Sequence, residues 1–228
     1  MILGKEFYLV HGVGFFEAEE QGIVYEAGPV TFLQVNENVR TKLYKDALKT
    51  VCQDGDEVVI DAYSGGGLLT AMIAKKAKRV YGIELEEEAS RCADSLKAKN
   101  GLANMKNICG YVEKELPGVL AAERNEKLRL ILDPPRAGIA RSVLFALLKS
   151  GIPQLTLISC NPATLARDLG ILSGRLLEKD GELVKNPAYA DVSDGETLGG
   201  YYEIERIQPY DMFPHTKHVE TLVCLMKK

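Results

Sequence analysis

The sequence has no tryptophan, only three histidines and only five cysteines among its 228 residues. The cysteines are odd in number and widely spaced, at Cys52, Cys92, Cys109, Cys160 and Cys224. No two of them form a C-x-x-C pair, so they match neither a zinc motif, nor a four-cysteine iron–sulfur cluster, nor a disulfide framework. We therefore expect no metal and no iron–sulfur cluster in this chain, and free thiols in a reducing cytoplasm.

Long apolar runs are also missing. None approaches the length of a membrane-spanning helix, and the N-terminus lacks the basic-then-apolar layout of a secretory signal. The net charge of −4 argues mildly against a chain that grips nucleic acid through its phosphates. What remains is a cytoplasmic globular protein of one large domain or two small ones.

Strand and helix patterns alternate from residue 36 onwards. Asn36 is placed to cap a first helix, whose apolar residues Val39, Leu43, Ala47 and Val51 share one face. Five strand–helix units follow, and the chain ends in two strands close enough to form an antiparallel hairpin. Such alternation predicts a parallel sheet with helices on both faces. This is the α/β, Rossmann-like, doubly wound layout of class I methyltransferases.

Two segments differ from this pattern. Residues 1–35 contain short alternating pieces rich in Gly, Val, Phe and Tyr, which predict two or three antiparallel strands. We interpret them as a β-rich extension that precedes a main domain over residues 36–228. Between Leu176 and Gly200 the chain is polar and rich in Gly and Asp, which predicts a loop or flap rather than core.

The carboxyl ends of the first two predicted strands indicate a ligand site, because doubly wound sheets bind ligands there. The first strand leads into DAYSGGG, where Gly65 and Gly67 let the backbone approach a ligand closely. The second strand ends in Glu84, where an acid can hold both hydroxyls of a ribose. A nicotinamide-binding unit shares these features, although SGGGLL lacks the G-x-G-x-x-G spacing. A plain tight turn, and a solvated charge run at EEE, are the structural alternatives.

The fourth predicted strand ends in LILDPPR, which places Asp133 at the same edge before two consecutive prolines. Prolines fix φ and hold the turn rigid. A carboxylate placed so firmly suits a site where a base must lie near a methyl donor.

The fifth strand, Leu155 to Ser159, carries Cys160 to this edge. Asn161 is a favourable N-cap and Pro162 suits the first helical position, so a helix begins at once. A thiol beside a helix N-terminus feels its partial positive charge, and we therefore expect a site that favours the thiolate. A buried structural cysteine is the alternative, and it is our interpretation of the other four cysteines.

Three motifs occur in order, LILDPPRAG, SCNPATLARD and FPHTKHVE, with FLQVN near the start. Together they resemble the RNA uracil-5-methyltransferases, the family of bacterial 23S rRNA and tRNA 5-methyluridine enzymes, over residues 31–228. The resemblance implies S-adenosylmethionine-dependent methyl transfer to C5 of a uridine in RNA, with ribosomal RNA expected over tRNA. The positions that match the family's cofactor-binding residues are Gln34, Tyr63, Glu84 and Asp133.

The same resemblance matches Cys160 to the catalytic nucleophile and Glu220 to the general base. C5 of uracil is too weak a nucleophile to take a methyl group unaided, whereas thiolate addition to C6 makes C5 an enolate carbon. A base must then remove the C5 proton before the thiolate leaves. His215 and His218 are alternative bases, and we expect them to bind RNA or orient other groups.

Two arginines complete the candidate site. Arg136 and Arg167 are placed to contact RNA phosphate or the uracil carbonyls, and surface salt bridges are their alternative role. Two other functions stay open at this stage: an amino-group methyltransferase of RNA bases that uses the Asp133 turn, and a non-catalytic module that binds cofactor and RNA.

The chain departs from the family pattern at three positions that concern adenosine binding. Ser64 replaces a usual cysteine, Leu68 replaces Asn or Thr, and Tyr111 replaces the acid of a usual Gly-Asp pair. Family members also commonly carry an N-terminal RNA-binding barrel. We expect this chain to be an excised catalytic domain rather than a naturally short relative, which would account for its net negative charge.

Overall fold

The computed structural model describes residues 8, 10–28, 36–179, 182–186, 201–216 and 218–228. The strands are β1 (Phe16–Glu20), β2 (Ile23–Ala27), β3 (Val58–Ala62), β4 (Arg79–Glu84), β5 (Met105–Cys109), β6 (Leu128–Leu132), β7 (Gln154–Ser159), β8 (Leu176–Lys179), β9 (Glu182–Lys185), β10 (Tyr202–Tyr210) and β11 (Glu220–Lys227). The helices are α1 (Glu37–Val51), α2 (Leu68–Ala74), α3 (Glu87–Lys99), α4 (Val112–Ala122), α5 (Arg141–Ser150) and α6 (Pro162–Leu172). None of these helices combines the length and apolarity that crossing a bilayer requires.

Seven strands form the central sheet in the order β10-β11-β7-β6-β3-β4-β5. The five strands from β7 to β5 are parallel, whereas β11 runs antiparallel to β7 and β10 antiparallel to β11. The predicted doubly wound α/β fold with a terminal antiparallel pair is therefore confirmed. Its parallel strands all end at one edge, which is where ligands bind in such sheets.

Each face of the sheet carries its own apolar core. In β3, Val58, Ile60 and Ala62 face α4, α5 and α6, while Val59 faces α1, α2 and α3. All five residues of this strand are buried. Burial on both faces explains why the strand is an almost continuous apolar run rather than an alternating one.

The predicted helix caps are present. The Asn36 side chain accepts a hydrogen bond from the Val39 amide at 3.3 Å, and the Asn161 side chain accepts one from the Ala163 amide at 3.1 Å. Pro162 is the first residue of α6. These caps satisfy amides that the first turn of a helix leaves without a partner, so both helices begin where the sequence indicates.

The β1–β2 hairpin packs on the main domain. Glu20 and Arg40 form a buried ion pair at 2.6 Å, and the Asn100 side chain bonds to both the amide and the carbonyl of Val24. The division of the chain at residue 35 stays a prediction. Gln34 lies outside the described residues.

The polar segment after α6 differs from its predicted form. Residues 176–185 include the antiparallel hairpin β8–β9, and Leu176 and Leu183 pack against the core. The prediction of a loop or flap is therefore wrong for this part, because Leu176 and Leu183 share the face of the hairpin that packs against the core. Residues 187–200 lie outside the described part of the chain.

Candidate active site

Five predicted site residues lie at the carboxyl edge of the sheet. Tyr63 follows β3, Glu84 ends β4, Asp133 follows β6 and Cys160 follows β7, while Glu220 begins β11. Because β11 runs antiparallel to the others, its first residue lies at the edge where they end. The neighbouring strands of a sheet are about 4.8 Å apart, so these residues form one row along the edge.

Cys160 and Glu220 are brought together by the pairing of β7 with β11. Ser159 lies opposite Thr221 in this antiparallel pair. Each step forward along β7 therefore corresponds to one step back along β11. Cys160 and Glu220 each extend their strand by one residue beyond that pair. Residues opposite each other in antiparallel strands point to the same face, so the thiol and the carboxyl group share one side of the edge.

The surroundings of Cys160 oppose the predicted thiolate. Burial raises the pKa of the Cys160 thiol, and the carboxylates of Glu220 and Asp133 raise it further, while the Arg136 guanidinium lowers it. The expectation of a depressed thiol pKa is therefore wrong. Burial, together with two nearby carboxylates, outweighs the effect of one arginine and the start of α6 on this pKa.

Asp133 belongs to a group of acidic side chains at this edge. Removal from water raises the pKa of Asp133 well above its ordinary value, and the charges of Glu220 and Asp61 add to the effect. Tyr44 of α1 lies near the same group, since burial and the carboxylates of Asp133 and Asp61 raise its pKa. The site therefore gathers the carboxyl groups of Asp133, Glu220 and Asp61 where the resemblance places a cationic cofactor.

Glu84 is held in place by the backbone. One of its carboxylate oxygens accepts a hydrogen bond from the Gly65 amide at 2.8 Å, and the other accepts one from the Glu86 amide at 2.8 Å. A Cβ at Gly65 would find no atom within 4 Å, so open space adjoins this backbone. A fixed carboxylate beside open space suits the two hydroxyls of a ribose.

Gly67 and Tyr63, the other two predicted site residues in the loop after β3, have different roles. Gly67 precedes α2 with φ of 82°, and a Cβ there would lie 2.7 Å from the Ala93 Cβ, so it permits the close packing of α2 against α3. Tyr63 also has a positive φ of 66°, which is unusual for a residue with a side chain. Burial raises the pKa of Tyr63 to about 12, and its ring packs against the apolar core.

The Asp133 turn is tied to the start of α6. The Arg136 carbonyl accepts hydrogen bonds from the Asn161 side chain at 3.0 Å and from the Thr164 hydroxyl at 3.2 Å. The Arg136 side chain itself is exposed. The two motifs that carry the carboxylate and the thiol are thus held in a defined relation, with an arginine available beside them.

Arg167 has protein partners. Its guanidinium pairs with Asp168 at 2.6 Å and donates to the Ile139 carbonyl at 3.2 Å, while Asp168 accepts from the Ile139 amide at 2.9 Å. This pair anchors the loop after the Asp133 turn. This geometry favours a salt bridge as the role of Arg167, which was the alternative to RNA contact in the sequence analysis.

His215 and His218 lie in the turn between β10 and β11, at the same edge of the sheet. His215 is exposed and has a φ of 65°. The His218 ring is half-buried and contacts the Phe213 ring edge-on, with 6.3 Å between centroids. The turn therefore presents one exposed imidazole and one that is packed.

Sequence reasoning assigned no role to Asp61, which the structure places beneath the glycine loop. Asp61 is 1% exposed and accepts a hydrogen bond from the Thr70 hydroxyl at 2.5 Å. Burial raises the pKa of Asp61 to about 7, the Thr70 hydrogen bond lowers it, and the charge of Glu84 raises it. Its place at the end of β3 was the available signal, because the same reasoning selected Glu84 and Asp133.

The chain is similar in sequence to known proteins. A family model for tRNA (uracil-5-)-methyltransferases matches residues 13–176. An uncharacterized RNA methyltransferase of Clostridium acetobutylicum is 34% identical over 227 residues, and one of Caldanaerobacter subterraneus is 36% identical over 222 residues. These matches cover 100% and 97% of this chain but 44% and 43% of those proteins. The chain thus spans less than half the length of the curated relatives it matches.

Among solved structures, the fold is similar to that of the Pyrococcus abyssi tRNA (uracil-54, C5)-methyltransferase in complex with S-adenosyl-L-homocysteine. The TM-score is 0.71 at 24% sequence identity, and the match covers 95% of this chain and 45% of that one. At this identity the likeness concerns the fold alone. The family model, however, matches more than half of the sequence, and the chain therefore belongs to the tRNA (uracil-5-)-methyltransferase family.

Proposed function

We propose that this chain is the catalytic region of an enzyme that uses S-adenosylmethionine to methylate C5 of a uridine in RNA. The observation that carries the proposal is the pairing of β7 with β11, which puts Cys160 and Glu220 on one side of the sheet edge. A nucleophile and a base at adjacent positions are what addition to C6 and proton removal from C5 require, because these are neighbouring atoms of one ring.

The residues at the edge fit the proposed cofactor. Glu84, fixed by the Gly65 and Glu86 amides, would hold the ribose hydroxyls beside the open space at Gly65. Tyr63 and Asp133 would bound the site towards β6. When bound, S-adenosylmethionine supplies an electrophilic methyl group. The proposed role of Gln34 as a further contact rests on the sequence motif alone.

Cys160 would begin the reaction. Its sulfur, once deprotonated, forms a bond to C6 of the uracil, and the electrons of the C5–C6 double bond move towards C5 and O4. C5 would then take the methyl group as the bond between that group and the sulfonium sulfur breaks, so that S-adenosylhomocysteine would leave. Because burial and two carboxylates raise the pKa of Cys160, we expect the rate of this addition to rise with pH.

Glu220 would complete the reaction. After methyl transfer, C5 carries both the new methyl group and its original hydrogen. Removal of that proton by the Glu220 carboxylate returns the electrons to the C5–C6 bond and expels the Cys160 sulfur. Glu220 is 2% exposed, so this proton transfer is shielded from bulk water.

Exposed hydrogen-bonding side chains beside this centre support an RNA substrate. The exposed Arg136 side chain and the exposed His215 lie at the same edge, where they can contact a phosphate or a uracil carbonyl. His218 is placed to support the same turn. Arg167 has less support as an RNA contact, since Asp168 and the Ile139 carbonyl already hold its guanidinium.

Nucleoside mass spectrometry tests the proposal. RNA from cells that lack the gene is compared with RNA from cells that carry the intact gene or its Cys160→Ala version, and ribosomal RNA and tRNA are digested separately. We expect 5-methyluridine to disappear from one fraction and to return only with the intact gene. The ribosomal fraction is our prediction, whereas the family is named after tRNA.

Other outcomes of this measurement would contradict the proposal. Loss of an N-methylated base would instead favour an amino-group methyltransferase that uses the Asp133 turn. An unchanged set of nucleosides in both fractions would favour a non-catalytic binding module.

A further inference from the structure

Four strand ends direct their acidic or nucleophilic side chains to one face of the sheet. The face that packs against α1, α2 and α3 contains Val59 of β3, Ile131 of β6, Ile158 of β7 and Leu222 of β11. Side chains alternate between the two faces along a strand, so a residue two positions away lies on the same face. Two positions nearer the carboxyl edge of the sheet on these strands are Asp61, Asp133, Cys160 and Glu220.

Asp61 and Asp133 are neighbours on this face. They stand at the ends of the adjacent strands β3 and β6, and the Asp133 amide donates to the Ala62 carbonyl at 3.2 Å. Asp61 is buried and accepts a hydrogen bond from the Thr70 hydroxyl. Two carboxyl groups so placed cannot both be ionised without a large energetic cost, because each charge is withdrawn from water and repels the other.

The groups that face this pair of acids come from several elements. The charge of Glu84 on β4 raises the pKa of Asp61, and that of Glu220 on β11 raises the pKa of Asp133. From α1, Tyr44 faces both acids, whose charges raise its own pKa. The helix α2 carries no titratable residue. Other titratable or charged side chains at this edge are Cys160, Arg136, His215, His218 and Arg40, which pairs with Glu20.

These neighbours add negative rather than positive charge. In the part of the chain that the structure describes, no lysine or arginine pairs with Asp61 or Asp133. The positive charge that would stabilise both carboxylates must therefore come from a proton or from a ligand. Asp133 ends the strand next to β7, which carries Cys160, so it is the acid nearest to the proposed methyl transfer.

We propose that Asp61 and Asp133 together hold a proton when no cofactor is bound and release it when the positive sulfonium of S-adenosylmethionine binds. The proposal rests on the function proposed above. The proton and the sulfonium are alternatives, because either one compensates the second negative charge of the pair. Binding of the charged cofactor is thus linked to the loss of a proton, whereas binding of its neutral product is not.

The same exchange balances charge during the proposed reaction. Methyl transfer turns the sulfonium into a neutral thioether, and the C5 hydrogen leaves as a proton that Glu220 takes. One positive charge disappears from the site and one proton enters it. If that proton passes to the acidic pair, the net charge of the site is the same before and after the transfer.

Isothermal calorimetry in two buffers of different ionisation enthalpy counts the protons released on binding. S-adenosylmethionine is compared with S-adenosylhomocysteine, which lacks the positive charge but shares the adenosine and amino-acid parts. At pH 6.5 the amino groups of both ligands are mostly protonated and add little to the count. We expect the charged ligand to release about half a proton or more above the neutral one, because Asp61, with a pKa of about 7, is mostly protonated at this pH.

The affinity for the charged ligand should rise with pH. The proton competes with the sulfonium, so raising the pH towards the pKa of Asp61 removes the competitor. Between pH 6 and 7 the affinity for S-adenosylmethionine should increase about fivefold relative to that for S-adenosylhomocysteine, the factor for one group of pKa about 7 that must lose its proton. Sinefungin, in which a carbon bearing an ammonium group replaces the methylated sulfur, should behave like S-adenosylmethionine and excludes an effect of the reactive methyl group.

Two variants test the pair itself. Asp61→Asn keeps an acceptor for the Thr70 hydroxyl but cannot hold the proton, so the excess of released protons should fall to about a quarter or less. Its binding of S-adenosylhomocysteine reports that the site is folded. Asp211→Asn, at an exposed position, is the control and should release as many protons as the unaltered chain. An undiminished excess in Asp61→Asn would overturn the role of the pair.

The ligand comparison also distinguishes this inference from the proposed function. If the unaltered chain binds all three ligands with equal release of protons, the cofactor site stands and the linkage to a proton is refuted. If it binds none of them, both proposals fail.

Discussion

Cys160 and Glu220 each stand one residue beyond the Ser159–Thr221 pair, at the ends of the antiparallel strands β7 and β11. They are 60 positions apart in the sequence. Their proximity also has an electrostatic consequence, because the Glu220 carboxylate raises the pKa of the Cys160 thiol. The nucleophile and the base of the proposed reaction are thus coupled before any substrate binds.

The proposed roles of these two residues predict different failures on substitution. Cys160→Ala cannot form the bond to C6, so no protein–RNA conjugate should appear on a denaturing gel. Glu220→Gln should still attack and methylate but release product at least about 100-fold more slowly, the low end of a general-base contribution. A methylated conjugate should therefore accumulate.

Cys52→Ala is the matched control, because Cys52 lies at the end of α1, away from this edge, and burial raises its pKa to about 12. It should leave conjugate formation unchanged. The longer protein is used if this chain alone does not hold RNA. Normal release of 5-methyluridine by Glu220→Gln would transfer the role of base to His215 or His218.

The reactivity of Cys160 should depend on pH in a way that its neighbours control. Its raised pKa means that less thiolate is present at pH 7 to 8 than in an ordinary cysteine, so alkylation by iodoacetamide should be slow there and rise at higher pH. Glu220→Gln removes a negative charge and should move the rate profile to lower pH. Arg136→Gln removes the opposing positive charge and should move it to higher pH.

Mass spectrometry of peptides measures this rate for Cys160 and, in the same sample, for the exposed Cys109 as an internal standard. Identical profiles for the unaltered chain and both variants would show that these charges do not act on the thiol.

Replacement of Glu84 should weaken cofactor binding. Glu84→Ala leaves the Gly65 and Glu86 amides without their acceptor and removes the proposed ribose contact. We expect a loss of about 1 to 3 kcal/mol in the binding free energy of S-adenosylhomocysteine, measured by calorimetry. Glu86→Ala, at an exposed acid two residues further on, is the control and should bind normally. Equal affinity in both variants would remove Glu84 from the site.

Asp61 should make the stability of the protein fall as pH rises. A carboxyl group whose pKa is higher in the folded than in the unfolded chain binds more protons when folded, so the free energy of unfolding decreases between about pH 4 and the folded value of about 7. Asp61→Asn keeps an acceptor for the Thr70 hydroxyl and removes the buried charge. Above pH 7 it should be more stable than the unaltered chain by up to about 4 kcal/mol, with the difference vanishing towards pH 4.

Denaturant unfolding at several pH values measures this difference. Asp211→Asn, at an exposed position, should show no such pH-dependent gain. A constant difference between Asp61→Asn and the unaltered chain at all pH values would show that Asp61 keeps an ordinary pKa in the fold.

Local features of the sequence were sufficient for the elements and for much of the site. The alternation of strand and helix patterns, the Asn36 and Asn161 caps and the residues at strand ends depend on neighbours within a few positions. For that reason Glu84, Asp133 and Cys160 could be placed at one edge without a structure. The β8–β9 hairpin was missed because the composition of this segment is mostly polar. Its few apolar residues come together only when the segment folds.

Relations between distant segments were decided by the tertiary structure alone. The motif resemblance predicted Glu220 as the general base. Only the position of β11 between β7 and β10 in the sheet, however, puts Glu220 beside Cys160. The pairing of Arg167 with Asp168 and the Ile139 loop likewise depends on how α6 packs. The thiol pKa, predicted to be low from the start of α6, is raised because burial and two carboxylates from other strands act on it. The amino-acid sequence determines which side chain lies at the end of each strand. The order of the strands in the sheet determines which of these ends are neighbours, and therefore how their charges interact.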